Sequence, residues 1–331
     1  MSTKARRLTY SLAINEAFHQ MMSLDDSVIL IGQGVKSPWY VGNTAQGLIK
    51  RFGEERIIDT PVSENSMTGA AVGAALAGMR AVVVHPRMDF MLYAFDPIVN
   101  EAANWLYMSG GKASGPVVFW GVINRGGEQA AQHSQALHAM FSHAPGLKVV
   151  MPATPYDAKG LMVAAIKDDN PVVFVDDRWL YDTEGDVPEE LYSVPIGKGA
   201  IRKEGKDVSL IASSFMVGES LKAASELGKF GIDAEVLDLR TVKPLDVGMI
   251  LKSVGKTGRA VVVDSGWKTC GLAAEVSAII AENDIRILKS PIRRITLPDI
   301  PAPACRSLES NYYVKHPGIV DAVVKLVGGQ I

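Results

Sequence analysis

The stretch "ENSMTGAAVGAALAGMRAVVVHP", residues 64–86, joins two patterns in one short span. Residues 64–78 are rich in Ala and Gly, open on a carboxylate and have helical length, whereas residues 81–86 form a continuous Val run that stops at Pro86. A short apolar run with no polar alternation suits a strand covered on both faces, as in a parallel sheet. The same pairing recurs outward from this point. Runs resembling buried strands lie at "PVVFWGV" (116–122), "LKVVMPAT" (147–154) and "PVVFVDD" (171–177). Segments of helical length lie at "YSLAINEAFHQMM" (10–22), "YAFDPIVNEAANWLYMSGG" (93–111) and "PYDAKGLMVAAIKDD" (155–169). Alternation of this kind predicts an α/β layered domain with right-handed crossovers.

The rhythm breaks after Asp177 in a charged stretch bearing Pro and Gly, which places a linker between about Leu180 and Lys206. The division expected is a first domain over 1–185, linking chain over 186–206 and a second domain over 207–331. In the second domain "DVSLIASS", "DAEVLDLRT" and "RAVVVDS" read as strands. Helices are expected at "VGESLKAASELGKFG", ended by Gly231, from about Asp246, and at "GLAAEVSAIIAEN". The second domain is therefore also α/β, and smaller.

A chain of 331 residues exceeds the usual size of one hydrophobic core, in keeping with two domains. With 47% hydrophobic residues, 21% charged residues and a net charge of −2, it has no basic field suited to nucleic acid. Cys270 and Cys305 lack metal-ligand spacing and read as structural. The start "MSTKARRLTY" has no apolar signal core, and no apolar run reaches the roughly 18 residues of a membrane span, so a cytoplasmic home is expected. A Walker loop, a Gly-x-Gly-x-x-Gly turn, a zinc-protease motif and a nucleophile elbow are all missing from the sequence.

Three places invite chemistry. Glu64 reads locally as a first-turn carboxylate favoured by the helix dipole, with Ser63 as the cap. Gly69, Gly73 and Gly78 let another backbone approach that helix, which points to a tight partner such as another subunit. His133 sits in "AAQHSQAL" after a strand, where ligands of open α/β sheets bind and where a group titrating near neutrality serves as acid or base. "AAIKDDNPVV" (164 to 173) reads either as a helix end with a turn, or as carbonyls plus Asp168 and Asn170 wrapping a hard cation. Local pattern leaves both readings open.

Ordered matches extend over nearly the whole chain: "RIIDTPVSENSMTGAAVGAALAGMR", "MDF", "FDPIVNEAANWLYMSGGK", "AAQHSQ", "PGLKVVMPATPYDAKGLMVAAIKDDNPVVF", "GDVPEELYSVPIGKG", "VLDLRTVKPLD" and "TGRAVVVDSGW". Through them the chain resembles the beta subunits of the thiamine-diphosphate-dependent decarboxylase component of 2-oxo-acid dehydrogenases, the pyruvate, branched-chain and acetoin types. The resemblance implies a pyrimidine-binding thiamine-diphosphate fold followed by a transketolase C-terminal-like domain. It implies that Glu64 bonds the aminopyrimidine nitrogen of thiamine diphosphate and favours its imino tautomer, from which the thiazolium ylide forms. Phe90 would stack on the pyrimidine, Gln33 would lie beside the cofactor, and His133 would assist the acyl intermediate or its transfer to lipoyl. A potassium site would draw oxygens from Val117, Ala165, Ile166, Asp168 and Asn170. Magnesium and the diphosphate would be held by the Gly-Asp-Gly motif of an alpha subunit, a motif missing here, in a heterotetramer of two alpha and two beta chains. A lipoyl acyltransferase core is the implied acceptor. No chemistry is assigned beyond about residue 200.

Three departures qualify the transfer of function. Gln33 and Gly34 stand where the family has acids, Val84-His85-Pro86 where a Glu precedes apolar residues, and Trp120 where an Arg is frequent, a change expected to reshape the substrate entrance. A carboxamide hydrogen-bonds but carries no charge. Two other functions stay in view: a split transketolase-like carboligase handing its fragment to an aldehyde, and a scaffold that keeps the fold without activity.

Overall fold

A computed structural model describes residues 6–37 and 41–328; residues 1–5, part of the stretch read for a signal, lie outside the described residues. The chain forms two compact units, one running to Arg125 and resuming over Met140–Ile196, the other comprising Gly126–Ala139 and the chain from Gly197 onward.

The first unit opens with β1 (Arg7–Thr9) and α1 (Tyr10–Leu24), then β2 (Val28–Gly32), α2 (Leu48–Phe52), β3 (Ile57–Asp59), α3 (Glu64–Leu76) and β4 (Arg80–His85). It continues through α4 (Ala103–Met108), β5 (Val117–Ile123), α5 (His138–His143, whose first two residues belong to the other unit), β6 (Lys148–Val150), α6 (Pro155–Lys167), β7 (Val172–Asp177) and β8 (Glu184–Asp186). Six strands of this unit lie parallel in the order β6-β7-β5-β4-β2-β3. The Val-rich runs of β4 and β5 are buried almost throughout, as expected for strands sandwiched between helices. From β2 the chain steps outward to β3, then returns to β4 on the other side of β2. Strand order therefore reverses between β2 and β4, and in an open α/β sheet the crevice beyond such a reversal is the usual ligand site. Gly32 is required there, because a Cβ would meet Val84 Cγ1 at 2.4 Å.

The helix predicted over residues 93–111 is present over 95–108 but irregular. Residues Met88–Ala94 form a 3₁₀ segment and Pro97–Ala102 a π turn before α4 begins. Pro97 lacks the N–H that a continuous helix requires, and wide turns of this kind absorb the mismatch. The stretch read as a linker is also structured. β8 pairs antiparallel with β1, Val187 and Val194 are buried, and the fully buried Lys159 donates to Glu16 Oε1 at 2.6 Å and to the carbonyls of Pro188, Glu189 and Glu190 at 2.7, 3.2 and 2.9 Å. A buried ammonium is tolerated because its three N–H groups are satisfied.

The second unit holds β9 (Ala200–Lys203), β10 (Val208–Ala212), α7 (Phe215–Leu227), β11 (Ala234–Asp238), β12 (Thr241–Lys243), α8 (Val247–Thr257), β13 (Ala260–Trp267), α9 (Leu272–Asp284), β14 (Arg293–Leu297), α10 (Arg306–Tyr312) and α11 (His316–Val327). Its sheet runs β14-β13-β10-β11-β9, parallel except for β9, which lies antiparallel on the edge. Asp246 caps α8 by accepting from Met249 N at 3.2 Å, and Gly231 closes the turn after α7 with φ 73°. Both cysteines, read as structural, are exposed free thiols, so neither packs the core. Among the described residues no helix is long and apolar enough to cross a membrane.

Candidate active site

Gln33, Glu64 and Phe90 leave the C-terminal ends of three neighbouring strands, β2, β3 and β4, which flank the reversal of strand order. Thr60 N donates to Gly32 O at 3.1 Å, tying the loop after β3 to the end of β2. Asn65 Nδ2 donates to Tyr93 O at 3.3 Å, tying the start of α3 to the segment that carries Phe90. Three loops are thus fastened to one another around these residues.

Glu64 is the first residue of α3. Ser63 takes the N-cap position with φ −162°, yet its side chain makes no cap bond, contrary to expectation; its carbonyl accepts from Met67 N at 2.9 Å instead. The half-buried Glu64 carboxylate makes no hydrogen bond or ion pair among the described residues. One turn further, Met67, Thr68, Ala71, Val72 and Ala75 bury the opposite face of α3, whereas Gly69 and Gly73 face open space. Nothing among the described residues requires those two glycines, which leaves room for the approach of another backbone.

Phe90 is turned outward because its neighbours are turned in. Met88 and Met91 are fully buried, and Met91 Sδ occupies the space that a Cβ on Gly121 would need. Phe90 stays 37% exposed, unlike its two methionine neighbours. Gln33 is half-buried, and its Oε1 is shielded from water with no hydrogen-bond partner among the described residues. A buried carbonyl oxygen left without a partner carries a desolvation cost. A carboxylate, an amide and an aromatic face fit the hydrogen-bonding edge and the plane of an aminopyrimidine, and so fit thiamine diphosphate.

The departures have structural consequences. Val84 is buried, and the fully buried His85 bonds Thr68 Oγ1 through Nε2 at 3.2 Å. Burial pushes the His85 imidazole down to about 3, which keeps it neutral near pH 7. Trp120 is only 1% exposed and packs against Phe18 with ring centroids 5.6 Å apart, so it shapes the core and not an entrance. Its indole and the Tyr181 hydroxyl are turned toward Asp176, which is fully buried; burial pushes that carboxyl up to about 7 despite both groups.

His133 follows β5, the next strand beyond β4, on the segment that clusters with the second unit. Its Nδ1 lies 3.1 Å from Gln129 O. A carbonyl only accepts, so Nδ1 carries the hydrogen of this bond.

The proposed cation ligands gather where α6 ends and β5 and β7 begin. Arg80 donates to Ile166 O at 3.0 Å and to Asp168 O at 3.2 Å, Lys148 pairs with the Asp168 carboxylate, and Asp168 Oδ1 accepts from Asn170 N at 2.9 Å. The oxygens at the negative end of α6 are thus met by two side-chain cations, Arg80 and Lys148.

Residues 6–183 match the transketolase pyrimidine-binding domain and residues 197–319 the transketolase C-terminal domain. The beta subunit of acetoin:2,6-dichlorophenolindophenol oxidoreductase from Cupriavidus necator is 44% identical, with 98% of this chain and 99% of that protein covered. The pyruvate dehydrogenase E1 component beta subunit of Rickettsia felis is 41% identical, with 97% and 98% covered. A solved structure described as a split gene transketolase, inactive beta4 tetramer, superposes with a TM-score of 0.77 at 21% identity over 97% of this chain and 98% of that one, a likeness of fold. The chain belongs to the transketolase-like family of beta subunits that includes those of pyruvate dehydrogenase E1 and acetoin dehydrogenase.

Proposed function

We propose that the chain is the beta half of a thiamine-diphosphate-dependent oxidoreductase that cleaves a 2-oxo acid or acetoin and passes the acyl group to lipoyl. The observation that carries this reading is that Gln33, Glu64 and Phe90 follow three neighbouring strands at the reversal of strand order, with no polar partner for Glu64 or for Gln33 Oε1 among the described residues. Thiamine diphosphate, when bound, supplies the carbon nucleophile. Glu64 holds and moves a proton at the aminopyrimidine ring nitrogen, Phe90 orients that ring, and Gln33 hydrogen-bonds beside it without charge. His133 Nε2 exchanges a proton on the substrate side. Diphosphate and magnesium fall to an alpha subunit, in a two-alpha two-beta assembly.

A second reading is that proton relay or substrate choice has diverged, to the extent of a carboligase with an aldehyde acceptor. It is favoured by the acid-free trio of Gln33, Gly34 and Val84 and by the neutral His85. One panel separates the readings. The chain, mixed with an alpha subunit bearing a Gly-Asp-Gly motif, is assayed with pyruvate, branched 2-oxo acids and acetoin against lipoyl and aldehyde acceptors. Lipoyl-dependent turnover that needs both chains is expected. Turnover by this chain alone would sink the two-subunit reading, and turnover restricted to aldehydes would replace the dehydrogenase with the carboligase.

We also propose that potassium binds at the turn between α6 and β7, with Val117, Ala165, Ile166, Asp168 and Asn170 as donors beside Arg80. In potassium chloride the melting temperature is expected to exceed that in choline chloride of equal ionic strength by about 2–4 °C, saturably. Identical melting in the two salts would refute the site.

A further inference from the structure

The segment Gly126–Ala139, which bears His133, has an unusual backbone. Gly126, Gly127, Glu128 and Ala130 all have φ between 62° and 78°. For Glu128 and Ala130 this left-handed region is unfavourable by about 1–2 kcal/mol per residue, so contacts from elsewhere must hold the loop. The contacts come from residues far along the chain. At the loop's start, Glu128 N donates to Glu309 Oε2 of α10 at 3.0 Å, and Glu309 is only 6% exposed. At its end, His138 Nε2 lies 2.9 Å from Asp264 Oδ1 on β13, both side chains being fully buried.

The Asp264 end is built to receive the imidazole. Asp264 Oδ1 also accepts from Gly266 N at 3.0 Å. A Cβ on Gly266 would lie 3.1 Å from His138 Cε1, and one on Gly271 would lie 3.4 Å from Asp264 Oδ2 and only 2.2 Å from Trp267 O. Burial pushes the Asp264 carboxyl up, but His138 and the backbone N–H groups of Gly266 and Ala273 more than offset it, so the carboxyl stays below its usual range and ionised. A buried carboxylate with a hydrogen-bonded partner is a rigid anchor, since losing that partner leaves the charge unpaired.

We infer that Asp264 and Glu309 are positioning residues that clamp both ends of the His133 loop, so the C-terminal part of the chain sets the placement of a residue acting in the reaction. This rests on the role of His133 proposed above. The clamp spans 126 residues of sequence at one end and 181 at the other.

The test begins with the purified chain and amide hydrogen exchange. Asp264→Ala is expected to speed exchange over 126–139 by about tenfold to a hundredfold, the scale of a lost charge-assisted bond, while β10 and β11 keep their protection. In the complex with an alpha subunit, Asp264→Ala is expected to lower kcat toward the level of His133→Ala with KM unchanged. The double variant should lose nothing further, because Asp264 acts only through His133. Glu309→Ala should loosen the loop likewise, and Glu309→Gln, which keeps an acceptor for Glu128 N, should restore it. Should Asp264→Ala fail to fold, the Glu309 pair carries the same test. Unchanged loop exchange, or an additive loss in the double variant, would overturn the clamp. If His133→Ala alone leaves turnover intact, the role of His133 fails and the clamp's part in the reaction falls with it, whereas faster exchange would still locate the anchor.

Discussion

Glu64→Gln, in the chain paired with an alpha subunit, is expected to slow proton exchange at the thiazolium carbon by about a hundredfold to a thousandfold or more. Glutamine fills the same volume and still hydrogen-bonds, but it cannot accept and return a proton at the ring nitrogen. The effect should be confined to chemistry. Glu64 makes no hydrogen bond or ion pair among the described residues, so the substitution removes little more than the interaction of a first-turn carboxylate with the helix dipole, about 0.3–1 kcal/mol. Exchange followed by proton NMR, beside thermal unfolding of the same sample, separates the two contributions. Exchange at the wild-type rate in the variant would remove Glu64 from its assigned role.

Asp176→Asn is expected to change stability as strongly as Glu64→Gln changes chemistry, and in a manner set by pH. An aspartate ordinarily ionises near 3.8, and burial in this fold moves the folded-state value to about 7. Below the lower value both states are protonated and the carboxyl costs nothing. As pH rises from about 4 to 7 the unfolded chain ionises while the folded chain resists, so stability is lost throughout that window and levels off above it. A separation of about three pKa values corresponds to about 4 kcal/mol. Asparagine does not titrate, so the variant's advantage over wild type should grow from pH 4.5 to 7 and then flatten. His85 works in the opposite sense: its folded value near 3 makes the protein lose stability as pH falls below 6.5. For that reason the difference between variant and wild type is the informative measurement, by urea unfolding at several pH values. A difference independent of pH would mean that Asp176 is not held in a desolvated place.

Much of the architecture was legible in local pattern. The Val runs that became β4, β5 and β7, and the Ala-rich and amphipathic segments that became α1, α3 and α6, announce themselves because a strand buried on both faces and a helix packed on one leave periodic signatures. The irregular segment over 88–102 did not, since its composition is helical and only packing around Pro97 and the buried Met88 and Met91 imposes the 3₁₀ and π turns. The polar chain after β7 looked like a linker, yet the buried Lys159 gathers its carbonyls onto the first unit.

The candidate site divides along the same line. Glu64, Phe90 and His133 stood out as residues in recognisable stretches, and their order along the chain is a property of sequence alone. That Gln33, Glu64 and Phe90 flank one reversal of strand order follows from the pairing of β2 with both β3 and β4, which no local window encodes. Trp120 looked like an entrance residue, and the pleat of β5 turned it into the core against Phe18. The clamp on His133 was the least legible feature, because Asp264 and Glu309 carry no local signal beyond an acid at the end of a Val run and another in a short helix. Chemical identity travels with the residue, whereas burial, partner and charge state arise only when distant segments meet, and those fix what each carboxylate and imidazole here is able to do.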